Sequence, residues 1–70
     1  FYKFVFLGGA RFPYRPDLAL IFIKKLLENN INCKIDFINE RDHDFIKKLC
    51  NDLNIPFKNY DIFSLPQKIL

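Results

Sequence analysis

Two adjacent glycines, two arginines and two prolines share one short stretch of this chain, Gly8-Gly9-Ala10-Arg11-Phe12-Pro13-Tyr14-Arg15-Pro16-Asp17. The chemistry such a stretch can do is anion binding. A glycine lets a ligand come close to backbone N–H groups because no side chain stands in the way. Pro16 suits the first position of a helix, where it has no N–H to leave unpaired. A glycine turn leading into a helix N-terminus presents free N–H groups and the positive end of the helix dipole, and phosphate binds there readily. Arg11 and Arg15 add fixed positive charge. A plain strand-to-helix turn with solvated arginines accounts for the same residues without a ligand, and the residues alone leave both readings open.

The other reactive side chains are weaker candidates. His43, the only histidine, opens the second predicted helix with no serine or cysteine nucleophile near it in sequence and reads as a surface residue. Asn39-Glu40-Arg41-Asp42 reads first as loop and helix cap, and second as a nucleotide contact. Tyr14 serves equally as a stacking platform for a ring or as a lid over the following helix. Cys33 and Cys50 lack metal-ligand spacing and fall on the apolar sides of their elements, so they read as buried thiols, which points to a reducing, cytoplasmic setting. Other phosphate motifs fail on the residues. Pro13 stands where a dinucleotide fingerprint needs its third glycine, and no Gly-Lys-Ser/Thr occurs. The first strand ends in glycine, where a phospho-receiver needs acids.

Elements must position these residues. Phe4-Val5-Phe6-Leu7 is an unbroken apolar run, the pattern of a strand covered on both faces of a parallel sheet, and predicts a strand over Tyr2–Leu7. A helix is predicted over Pro16–Asn29 with most of its circumference buried, ended by left-handed Asn29-Asn30. Cys33, Ile35 and Phe37 alternate with Asn32, Lys34 and Asp36, so Asn32–Ile38 predicts a strand with one less covered face, away from the sheet centre. A clean apolar stripe from Phe45 to Leu53 predicts a helix over Asp42–Asn54, capped by Asp42 and stopped by Ile55-Pro56. Tyr60–Phe63 predicts a third strand, and Ser64-Leu65-Pro66 the start of a third helix. Alternation of this kind specifies an α/β, Rossmann-like βαβαβ(α) half-domain with a three-stranded parallel sheet in the order 3-2-1. Ligands of such sheets bind at the carboxyl ends of the strands, which brings together the loops at Gly8–Arg15, Asn39–Asp42 and Ser64–Pro66.

Bulk properties bound the function. The 70 residues are 50% hydrophobic and 17% aromatic, too apolar for disorder and rich for one small folding unit. The longest apolar run, Leu18–Ile23, is far below the roughly 20 residues that span a bilayer. The net charge is +3, but it is diluted among acids; Lys24-Lys25 and Lys47-Lys48 fall on polar helix faces, so nucleic acid is not the expected partner. The chain starts at Phe1, without Met and directly before a predicted strand, and ends on Ile69-Leu70, and is expected to be a piece, residues 1–70, of one domain in a longer chain.

With that layout, Phe4-Val5-Phe6-Leu7-Gly8-Gly9, then Arg15-Pro16-Asp17-Leu18-Ala19-Leu20 and Lys24-Lys25-Leu26 resemble the start of the donor-binding domain of GT-B "group 1" glycosyltransferases. The Arg-Pro-Asp-Leu helix opening is the most specific element, and Ile46-Lys47-Lys48-Leu49 and Tyr60-Asp61-Ile62-Phe63 continue the likeness. The resemblance implies an enzyme that transfers a sugar from a nucleotide-diphosphate sugar to an acceptor without a cofactor. The donor diphosphate would lie on Gly8, Gly9, Arg11 and Arg15, with the nucleotide near Tyr14, Asn39, Glu40, Ser64 and Leu65. In ungapped register Gly9 stands where the family has arginine and Tyr14 where it has lysine, so Arg11 and Arg15 are the cations left to substitute. The family's paired glutamates and acceptor domain lie outside these residues, so the fragment alone is expected to bind without turnover. Its implied partners are the donor, the rest of its own chain and, for the whole protein, a membrane surface. The alternative is a non-catalytic α/β binding or interaction module whose apolar surplus marks a protein interface.

Overall fold

A computed structural model describes residues 1–9, 14–39 and 41–64. The elements run β1 (Tyr2–Leu7), α1 (Pro16–Glu28), β2 (Cys33–Ile38), α2 (His43–Asp52), a 3-10 turn (Phe57–Asn59) and β3 (Tyr60–Phe63). The strands form one parallel sheet in the order β1-β2-β3, which is the expected order. Tyr2 pairs with Cys33 and Leu7 with Ile38, while Ile35 pairs with Tyr60 and Ile38 with Phe63. Of the anticipated third-helix start, Ser64-Leu65-Pro66, only Ser64 is described, and the rest lies outside the described residues.

Both helices lie on one face of the sheet and touch each other. The core between them is Leu20, Ile23, Cys33, Ile35, Phe37, Ile46, Cys50, Ile55 and Tyr60. Phe4 and Phe6 extend it toward β1, with the Phe4 ring edge-on to Phe22 at 5.6 Å and Phe6 5.5 Å from Phe37. Cys33 and Cys50 are free, buried thiols in this core, as their placement on apolar faces implied. Burial pushes the Cys50 thiol up to about 12.

One covered face explains two departures from the sequence reading. The apolar run of β1 is covered on one side only, since Val5 is 57% and Leu7 66% exposed. The alternation in β2 marks the bare face of the sheet, the less covered side that the sequence implied, and β2 is the middle strand of the three as the expected order requires. On that bare face Lys3 lies 3.2 Å from Asp36, and Lys34 bridges Asp36 and Asp61. This ladder separates two carboxylates that the register sets directly opposite each other, a destabilising arrangement without the lysine between them. Helix α1 likewise buries a stripe rather than most of its circumference; Leu20 and Ile23 are buried, whereas Leu18, Ile21 and Phe22 are exposed.

Both helices end in the same way. Asn30 and Asn54 take positive φ of 60° and 58°. The next residue then donates back into the helix, Ile31 N–H to Leu26 O at 2.9 Å and Ile55 N–H to Cys50 O at 2.8 Å. With Asn30 N–H on Leu27 O and Asn54 N–H on Asn51 O, each is a full Schellman cap closed by an isoleucine. Helix α2 therefore stops at Asp52, two residues before Asn54, and the chain enters the unanticipated 3-10 turn after Pro56.

Candidate functional site

The carboxyl ends of the strands gather the Gly8-Gly9 turn, the start of α1 and the loop after β2, as the alternating pattern required. Gly8 has φ of +132°, a conformation that L side chains rarely adopt. Its N–H points to Ile38 O at 3.4 Å, continuing the β1–β2 ladder. Tyr14 folds back over it. A Cβ at Gly8 would stand 2.6 Å from Tyr14 Cε1 and 3.0 Å from Cγ. Glycine is thus required here by the backbone and by the ring, and Tyr14 roofs the turn instead of the helix.

Arg15 occupies the N-cap position of α1, and Pro16 follows it as the first helical residue. The Arg15 guanidinium grips Asp17 with two bonds, Nε to Oδ1 at 3.1 Å and Nη2 to Oδ2 at 2.9 Å. The bonds to Arg15 hold the Asp17 carboxyl below its ordinary range, and backbone N–H groups of Leu18 and Asp17 add to this. The helix N-terminus thus already carries one carboxylate, and the arginine beside it is engaged but exposed.

Asn39 follows β2 and is only 5% exposed. Its N–H donates to Phe63 O at 3.0 Å, tying it to β3. Its Oδ1 accepts the N–H groups of Arg41 and Asp42, both at 3.1 Å, so Asn39 organises the entry to α2. These donors fix which end of the amide is oxygen, and leave Nδ2 buried without a hydrogen-bond partner among the described residues. His43 is partly exposed at the surface, and its Nε2 lies 2.9 Å from Asn39 O and donates to it. That bond gives the imidazole a structural task in the same turn.

Gly8, Gly9, Tyr14, Arg15, Asn39 and Ser64 therefore sit in or beside loops at one edge of the sheet, while Arg11, Glu40 and Leu65 lie outside the described residues. Tyr14 and Asn39 are both candidates from the sequence, but the Tyr14 roof over Gly8 and the burial of the Asn39 amide show in no spacing. Among the described residues no group of three or more His, Cys, Asp or Glu side chains is placed to hold a metal ion, and no helix is long and apolar enough to cross a membrane. No family model, curated protein or solved structure matches this chain, which stands as a small α/β unit with a three-stranded parallel sheet.

Proposed function

We propose that this chain is the nucleotide-sugar-binding portion of a glycosyltransferase, with the donor diphosphate at the carboxyl edge of the sheet. The observation that carries the reading is Arg15 at the N-cap of α1 beside the Gly8-Gly9 turn, where a helix N-terminus and a fixed cation meet. The likeness of Arg15-Pro16-Asp17-Leu18 to the family's helix opening supports it. In this reading the helix end and the arginines stabilise charge on the leaving diphosphate as the glycosidic bond breaks, and Tyr14 offers its ring to the nucleotide. The buried Asn39 Nδ2 supplies an unspent donor beside the same loops.

Titration with a nucleoside diphosphate and with the bare nucleoside tests this. Replacing the arginine that meets phosphate, Arg11 or Arg15, with alanine weakens diphosphate binding by roughly 10- to 150-fold and leaves the nucleoside unaffected. Asp17→Asn, which releases Arg15, strengthens it. If both arginine variants bind the diphosphate as tightly as the parent, the assignment is wrong.

A second reading, an interaction module, is favoured by one observation: Tyr2, Val5, Leu7, Leu18 and Phe22 leave β1 and the outer side of α1 apolar and exposed. Sedimentation distinguishes the two. Concentration-dependent association without nucleotide binding supports the module.

A further inference from the structure

At the amino end of β3, away from the carboxyl edge, a cleft of about 600 Å³ opens between α2 and the 3-10 turn. Lys47, Lys48, Ile55, Pro56, Phe57 and Tyr60 line it with two asparagines, and among the described residues no acidic side chain does. Phe57 is 85% exposed, the most exposed large hydrophobic side chain among the described residues. It is nevertheless held. Its ring lies 5.8 Å from that of Tyr60, inclined at 35°, and Tyr60 is buried. The turn beneath is closed by Asn59 N–H on Pro56 O at 2.9 Å. It is pinned to the sheet by Asn59 Nδ2 on Cys33 O, also at 2.9 Å.

An aromatic ring held out into water beside two cations is the pairing that recognises flat, negatively charged molecules, by stacking and by charge together. Lys47 and Lys48 have no ion-pair partner among the described residues. The nearby Asp61, which lines a neighbouring depression with Lys47 and Phe57, is engaged by Lys34. The volume is within the range of small-molecule sites. We propose that this cleft binds a small aromatic anion, its ring against Phe57 and its anionic group at Lys47 and Lys48.

Amide NMR titration with adenosine 5′-monophosphate tests this, with adenosine and inorganic phosphate as partial ligands. The shifts are expected around Lys47, Asn54 and Phe57. The monophosphate should bind at least about tenfold tighter than either partial ligand, since ring and charge act together. Phe57→Ala should weaken it by roughly 5- to 150-fold. The double change Lys47→Gln with Lys48→Gln should remove the dependence on salt. All three side chains are exposed, so the variants keep the fold. Arg15→Ala should leave binding here unchanged, which separates this cleft from the carboxyl edge. Shifts confined to Gly8–Arg15, equal binding of inorganic phosphate, or undiminished affinity in Phe57→Ala would each overturn the proposal.

Discussion

Gly8→Ala should destabilise this protein more than any other single-methyl addition at the carboxyl edge. At φ of +132° the new Cβ meets the Tyr14 ring, 2.6 Å from Cε1 and 3.0 Å from Cγ. Two costs follow. Holding an L residue in a sparsely populated backbone region costs about 1–3 kcal/mol. Tyr14, about half-buried, must swing off the turn, and losing that contact costs about 1–2 kcal/mol. Against a total stability of roughly 4–10 kcal/mol for a domain of this size, the sum is large. Each kcal/mol is worth about 4–8 °C, so the thermal midpoint should fall by at least about 8 °C. Far-UV circular dichroism during thermal and urea unfolding measures it. A double-mutant cycle with Tyr14→Ala separates the two costs, because without the ring only the backbone part remains, and the coupling should be about 1–2 kcal/mol. If Gly8→Ala melts within about 3 °C of the parent, or costs the same with and without Tyr14, the roofed turn is refuted.

Two further outcomes follow from the same geometry. Asn54→Gly should keep or slightly raise stability, whereas Asn54→Val should lower it by about 1–2 kcal/mol, because the left-handed cap penalises a branched Cβ; urea midpoints of the two variants give the difference. Stability should fall as pH rises from 9.0 toward about 12, because burial raises the Cys50 thiol across that window. Below it the thiol is protonated folded and unfolded alike, and above 9.0 the unfolded chain ionises first and draws the equilibrium toward itself. Burial also raises Cys33 and Tyr60, so Cys50→Ala should flatten the alkaline loss without abolishing it.

The elements were legible because their signals are local. Four consecutive apolar residues, a proline at a helix start and asparagines at helix ends each act within a turn or two, and the strand order follows from alternation and crossover handedness. What stayed hidden depends on groups brought together from a distance or on backbone angles. The Asp36–Lys34–Asp61 ladder exists only once β2 and β3 pair in register. Lys34 read as an exposed alternating residue, whereas its amine is pushed above its ordinary value, first by the bond to Asp61. Asn39 and Asp42 are both plausible caps in sequence; the Asn39 oxygen takes the Arg41 and Asp42 N–H groups because Asn39 itself is anchored to Phe63 across the sheet.

At the carboxyl edge the same distinction decides how the candidate site must work. The sequence shows cations beside a glycine turn and so suggests an open anion cradle. In the folded chain the Gly8 N–H points into the sheet ladder, and Tyr14 covers the Gly8 Cα. Asp17 holds the Arg15 guanidinium. In the proposed reading, an anion at Arg15 displaces a carboxylate rather than filling a vacancy. That exchange favours a ligand of higher charge, since a solvent-exposed ion pair is weakly held while a diphosphate brings more negative charge and several acceptor oxygens to the same guanidinium and helix end. A monocarboxylate or a single sulfate gains little over Asp17 itself. If the edge holds the donor as proposed, it selects for charge density before it selects for any sugar or base.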